Sequence, residues 1–153
     1  MTQEKIMKDR MIRAIILFLL TLIALLVFIG LYIDETNRVQ ETYHTQFNDY
    51  LGKTTDAIDN YLNAEGDLPL RYRDILSDFS SANSFGFLMT SISDEHKSTI
   101  NELHACLLKY PEQMQDRKKM EDMREALTDI SKNLDKGFDE AAKIVDSVDK
   151  KGH

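Results

Sequence analysis

The sequence predicts an all-α protein: an N-terminal transmembrane helix that continues into an antiparallel, up-down four-helix bundle. Three observations carry this. Residues 14 to 33 form one apolar run, AIILFLLTLIALLVFIGLYI, with no charge in it. After the run, apolar residues recur at steps of three and four, the helical period rather than the strand period of two. Helix breakers are scarce, with 6 Gly and 2 Pro in 153 residues.

The run from Ala14 through Leu20 and Leu26 to Ile33 comes first. About 20 residues at 1.5 Å each cover roughly 30 Å, the thickness of a bilayer core. Only Thr21 and Gly30 interrupt the hydrocarbon, and Tyr32 sits where an interfacial aromatic belongs. A cleaved secretory signal has a shorter apolar stretch and a small-x-small cleavage site. The flank Phe28-Ile29-Gly30-Leu31-Tyr32-Ile33-Asp34 offers no such pair, so an uncleaved anchor is expected.

Charge sets the orientation. Lys5, Lys8, Arg10 and Arg13 precede the run, whereas Asp34 and Glu35 follow it and Arg38 is the nearest basic residue beyond. The basic side stays in the cytoplasm. The expected plan is a basic cytoplasmic tip (1–13), a single span (14–33) and an extracytoplasmic helical bundle (34–153). Four of the 19 basic and two of the 26 acidic residues precede Asp34, which leaves 15 against 24 and a net charge of −9 beyond it. Such a surface repels nucleic acid. About 120 residues suffice for one modest core.

The first helix should run on from the membrane. Val39, Tyr43, Phe47, Tyr50, Leu51, Ile58, Tyr61 and Leu62 mark one face, and no Pro lies between Ala14 and Ala64. The helix is expected to end near Asn63, after roughly 75 Å. Ala64-Glu65-Gly66-Asp67 should follow, with Gly66 in the left-handed position. A second helix begins near Pro69, with Asp67 as a candidate cap. Its stripe is Tyr72, Ile75, Leu76, Phe79 and Ala82, then Phe85, Leu88, Met89 and Ile92. The weak stretch Ser80 to Gly86 suggests a continuous but kinked helix. Ser91 or Ser93 caps a third helix with Ile100, Leu103, Leu107 and Tyr110 on its stripe, and Pro111 ends it.

A fourth helix is expected from Glu112 to Asp149, roughly 57 Å long. Met120, Met123, Leu127, Ile130, Leu134, Gly137, Ala141, Ile144 and Val148 fall on alternating steps of three and four, a heptad seam in which Gly137 is the weak knob and Phe138 can fill the gap. The fourth helix would return the C-terminus towards the bilayer. The third is short beside it, so part of the seam lacks a partner. Met120, Met123, Leu127, Ile130, Leu134 and Ile144 are therefore the candidate surface for self-association or for a partner helix.

Chemistry is sparse. Cys106 is the single cysteine, which excludes an intrachain disulfide and a Cys-based zinc cluster. Its neighbours Leu103 and Leu107 point to a buried apolar role, with an intermolecular disulfide as the alternative. His44, His96, His104 and His153 form no ligand pattern; His96 and His104 are about 12 Å apart along a helix. No Glu-x-x-His pair, His-Glu-x-x-His, phosphate-binding Gly loop or Gly-x-Ser-x-Gly elbow occurs. Tyr43, Phe47, Tyr50, Tyr61 and Tyr72 fit core packing better than a ligand pocket, and Met114, Met120 and Met123 fit adaptable core. No catalytic residue, cofactor or metal is expected, and a small-molecule ligand is disfavoured.

The basic tip, the span Ala14 to Ile33 and the continuation through Val39, Tyr43 and Phe47 resemble, in arrangement only, the four-helix-bundle ectodomain of bacterial chemoreceptors and sensor kinases. Those receptors cross the membrane again and carry a signalling domain, whereas this sequence ends at His153. LemA-like proteins also pair an N-terminal span with a helical outer part, but no stretch here matches them. No site is carried over from either. The expectation is a non-enzymatic, single-pass interaction or scaffold protein, touching membrane lipid and a protein partner or its own copy. The alternative is a sensory, ligand-binding bundle that signals through a partner's membrane segment.

Overall fold

The computed structural model describes residues 3–133 and 136–150. Among these there are six helices and no strand: α1 Gln3–Leu62, α2 Leu68–Leu88, α3 Asp94–Lys109, α4 Pro111–Met114, α5 Arg117–Lys132 and α6 Phe138–Asp146. The chain divides into two units, one up to Val39 and one from Gln40 onward.

In the first unit α1 is a lone apolar helix. Thr21, its polar interruption, donates its hydroxyl to the Leu17 carbonyl at 2.9 Å. The side chain is thereby satisfied within its own helix.

In the second unit the helices alternate in direction, as their cross-links reveal. Phe85 stacks on Tyr50 and Tyr72 meets Tyr61 edge-on, so α2 runs back along α1. Asn83 bonds Asn101, and Phe79 lies 6.2 Å from His104, so α3 reverses again. Arg124 bonds Asp59 and Arg117 bonds the Leu62 carbonyl, which sets α5 antiparallel to α1. α3 packs between α2 and α6, and α6 packs on α5. The core is one cluster running from Phe47 and Leu51 through Ile75, Phe79 and Leu103 to Met120, Leu127 and Ile130. On α1 it also takes in Thr54 and Ala57, which the apolar stripe omitted. Thr54 is buried with its hydroxyl satisfied, since it donates to the Tyr50 carbonyl at 2.7 Å.

Several expected boundaries hold. α1 ends at Leu62, α2 carries Pro69 in its first turn, and Ser93 rather than Ser91 caps α3 by accepting from the His96 amide. Ser80 to Gly86 is helical throughout. The small residue there has a tertiary cause: a Cβ on Gly86 would lie 2.9 Å from the Phe47 ring. The turn before α2 differs from expectation. Asp67, at φ 55°, takes the left-handed position assigned to Gly66, and its side chain makes no cap bond. Asp tolerates this conformation better than most residues.

The unbroken fourth helix is the main correction. Its span holds α4, α5 and α6 instead. Asp116 starts α5 by accepting from the Lys119 amide at 3.1 Å. Gly137 is not a knob on a seam: at φ 87° it begins α6, and its bare Cα lies against the Ala126 carbonyl and the Ile130 side chain. A left-handed residue cannot continue a right-handed helix. α6 therefore folds back on α5, and Phe138 stacks on His96 of α3 with ring centroids 3.9 Å apart. Asp149 consequently pairs with Gln113 at the end of the unit where α1 stops, opposite Gln40, which reverses the expected direction of the last pass.

Candidate interaction surface

Helix ends in the second unit are closed by side chains from other helices. The Leu107 carbonyl would ordinarily accept from residue 111, but Pro111 has no N–H. The Tyr72 hydroxyl supplies the missing donor at 2.8 Å. Burial drives the Tyr72 phenol, and to a lesser degree that of Tyr61, above the ordinary tyrosine range, so Tyr72 stays a donor. Gln40 closes the end of α2. Its Nε2 donates to the Leu88 carbonyl at 3.2 Å, while its Oε1 accepts from the Thr90 amide at 2.8 Å and hydroxyl at 3.1 Å.

The residues expected to associate lie inside the chain. Met120, Met123, Leu127 and Ile130 have no exposed surface, and Ile144 is buried with them. Leu134 lies outside the described residues. Their partners are α6 and the rest of the core, so the surplus of seam that pointed to a partner helix does not arise. The residues expected to span the membrane, Ala14, Leu20, Leu26 and Ile33, are all exposed on α1, as is every residue between them.

Chemistry-bearing groups are equally occupied. Cys106 is buried, and burial pushes its thiol above the ordinary value, the opposite of what a reactive thiolate needs. His104 is half-buried against Phe79, and desolvation lowers its pKa. His44 pairs with the Asn48 amide, and His153 lies outside the described residues. Among the described residues no group of three or more His, Cys, Asp or Glu is arranged to hold a metal. The aromatic set is spent on packing: Tyr43 and Tyr50 on Phe85, Tyr61 on Tyr72, and Phe47 on the bare face of Gly86.

The outer face of α2 and α3 carries two open grooves. One groove of about 770 Å³ lies near the end of α2 and holds Asn83, Phe87, Leu88, Asp94, Lys97 and Asn101. A second, of about 520 Å³, lies further along the same pair and holds Leu70, Arg73, Leu76, His104 and Leu108. Phe87 is 72 % exposed, Leu70 56 %, Leu108 53 % and Leu88 49 %. Leu88 was expected on the buried stripe; it falls instead on the last turn of α2 and is exposed. Phe87, Leu70 and Leu108 escaped the sequence reading because only on-stripe positions were counted. A large apolar residue off the stripe is the signal that marks them.

No family model matches the chain, and neither a curated protein nor a solved structure matches it.

Proposed function

We propose that the protein is a single-pass membrane-anchored interaction module without catalytic activity. Residues 14–33 span the bilayer, the basic tip lies in the cytoplasm and the acidic helical unit lies outside it. We read that unit as a bundle of four long members, α1, α2, α3 and α5, with α6 as an added fifth pass. The carrying observation is a charge-free helical segment of bilayer length, exposed along its whole length, joined to a packed helical core. A helix apolar on all sides is stable only when something apolar surrounds it.

Docking is favoured over ligand sensing because the aromatics that would line a ligand cavity pack against one another. The docking face is the exposed side of α2 and α3 around Leu70 and Leu108, and its occupant is a protein partner or a second copy. The test has two parts. Alkaline carbonate should leave the full chain in the membrane pellet, and its release would end the anchoring reading. Crosslinking in native membranes should yield an adduct that Leu70→Asp and Leu108→Asp both abolish while thermal unfolding stays unchanged. Equal recovery from those variants would remove the docking reading.

A further inference from the structure

We propose that the turn between α2 and α3 rests on the lipid surface, with Phe87 and Leu88 entering the headgroup boundary of the same bilayer that holds residues 14–33. The inference builds on the membrane reading above and adds a second lipid contact, made by the folded unit itself. Its basis is a juxtaposition. The Gln40 amide clamps Leu88 and Thr90 through three hydrogen bonds, and Gln40 stands only seven residues beyond Ile33. Even a fully extended connection keeps Gln40 within about 25 Å of the end of the apolar run, and a helical one within about 10 Å. Among the described residues of the unit, the most exposed large apolar side chain, Phe87, therefore sits at the end tethered to the membrane.

The local chemistry suits a headgroup layer. An aromatic and a Leu at the edge of a helix can lodge about 5–10 Å into the boundary between headgroups and acyl chains. Lys97 lies with its Nζ 5.9 Å from the Phe87 ring centroid, so its stem can follow the apolar surface while the ammonium reaches phosphate. Asn83 and Asn101, which share the groove, offer amide groups to the same layer. Asp94 in that groove offsets the lysine, so attraction to anionic lipid is weak and a zwitterionic surface is the occupant.

The chain contains no Trp, so single tryptophans can report on each position. Full-length Phe87→Trp, Leu88→Trp, Leu70→Trp and Phe28→Trp proteins are reconstituted into phosphatidylcholine vesicles, with and without bromine at shallow acyl positions. Phe28→Trp tests the span, and Leu70→Trp reports on the opposite end of the unit. The expected result is strong bromine quenching and a blue-shifted emission for Phe87→Trp and Leu88→Trp, with neither for Leu70→Trp. If Phe28→Trp is quenched but Phe87→Trp and Leu88→Trp are not, the lipid contact is overturned while the anchor stands. Protection from aqueous iodide without bromine quenching points to a protein on that turn and also overturns the proposal. Equal quenching of Leu70→Trp overturns the oriented contact. An unquenched Phe28→Trp overturns both readings.

Discussion

Replacing Gly137 by Ala separates two incompatible structures of the C-terminal third by the sign of its effect. In an unbroken helix, Gly→Ala adds helix propensity and stabilises by about 1 kcal/mol. In the hairpin of α5 and α6, Gly137 sits at φ 87°, and an added Cβ falls on the Ala126 carbonyl oxygen and within 2.8 Å of Ile130 Cγ1. The left-handed backbone costs an L-residue roughly 1–2 kcal/mol. Forcing a methyl against a backbone carbonyl and a buried Ile adds about 1–3 kcal/mol. The sum, about 2–5 kcal/mol, is a large share of the 5–15 kcal/mol typical of a domain. For a unit of this size that lowers Tm by roughly 10 °C or more. The assay is thermal unfolding of the full chain in detergent, followed by far-UV circular dichroism beside the unsubstituted protein. A Tm that is unchanged or raised would refute the hairpin and restore the continuous seam.

Three further outcomes follow from the same packing. Tyr72→Phe removes the hydroxyl that donates to the Leu107 carbonyl and should cost about 1–3 kcal/mol by denaturant unfolding, since a buried acceptor loses this donor; a loss near zero would mean water replaces the phenol. Leu127→Asp places a carboxylate where no surface is exposed, so it should abolish the folded unit, seen as rapid digestion under limited proteolysis; a stable, protease-resistant variant would contradict its burial. His104 has a pKa below its ordinary 6.5 because burial disfavours the charged form. The unfolded chain therefore takes up the proton first, so this contribution is intact at and above the ordinary value and is lost as pH falls below it. His104→Gln should flatten the acid side of the Tm-against-pH curve, and an identical slope in the variant would show that other groups set it.

How far the sequence could be read depended on whether a boundary is set locally. Pro69, Ser93 and Pro111 act on their own backbone, through a fixed φ, a cap and a missing N–H, and each marks an observed helix end. Gly66 and Gly137 could not be told apart in that way. Both permit a left-handed turn, yet Asp67 takes it in the first case and Gly137 itself in the second. Periodicity misled for a related reason. The residues on either side of Gly137 keep a heptad register because both arms of the hairpin bury their apolar faces in the same core.

The candidate surface was the least legible part. Met120, Met123, Leu127, Ile130 and Ile144 look like an interface to a one-dimensional reading, because a core face and a docking face share the same composition and spacing. Only the return of α6 decides that this face is interior. The exposed Phe87, Leu70 and Leu108 become visible as a surface only once α2 and α3 lie side by side.

The sequence by itself determined the helical class, the apolar segment of bilayer length, the acidic unit beyond it and the first three helices, since these rest on composition, period and local stop signals. The tertiary structure decided that the fourth helix becomes a hairpin, that its seam is core, and which apolar side chains remain outside. Those outcomes depend on contacts between residues far apart in the chain, such as His96 with Phe138 and Tyr72 with the Leu107 carbonyl, and such contacts leave no periodic trace in the residues that make them.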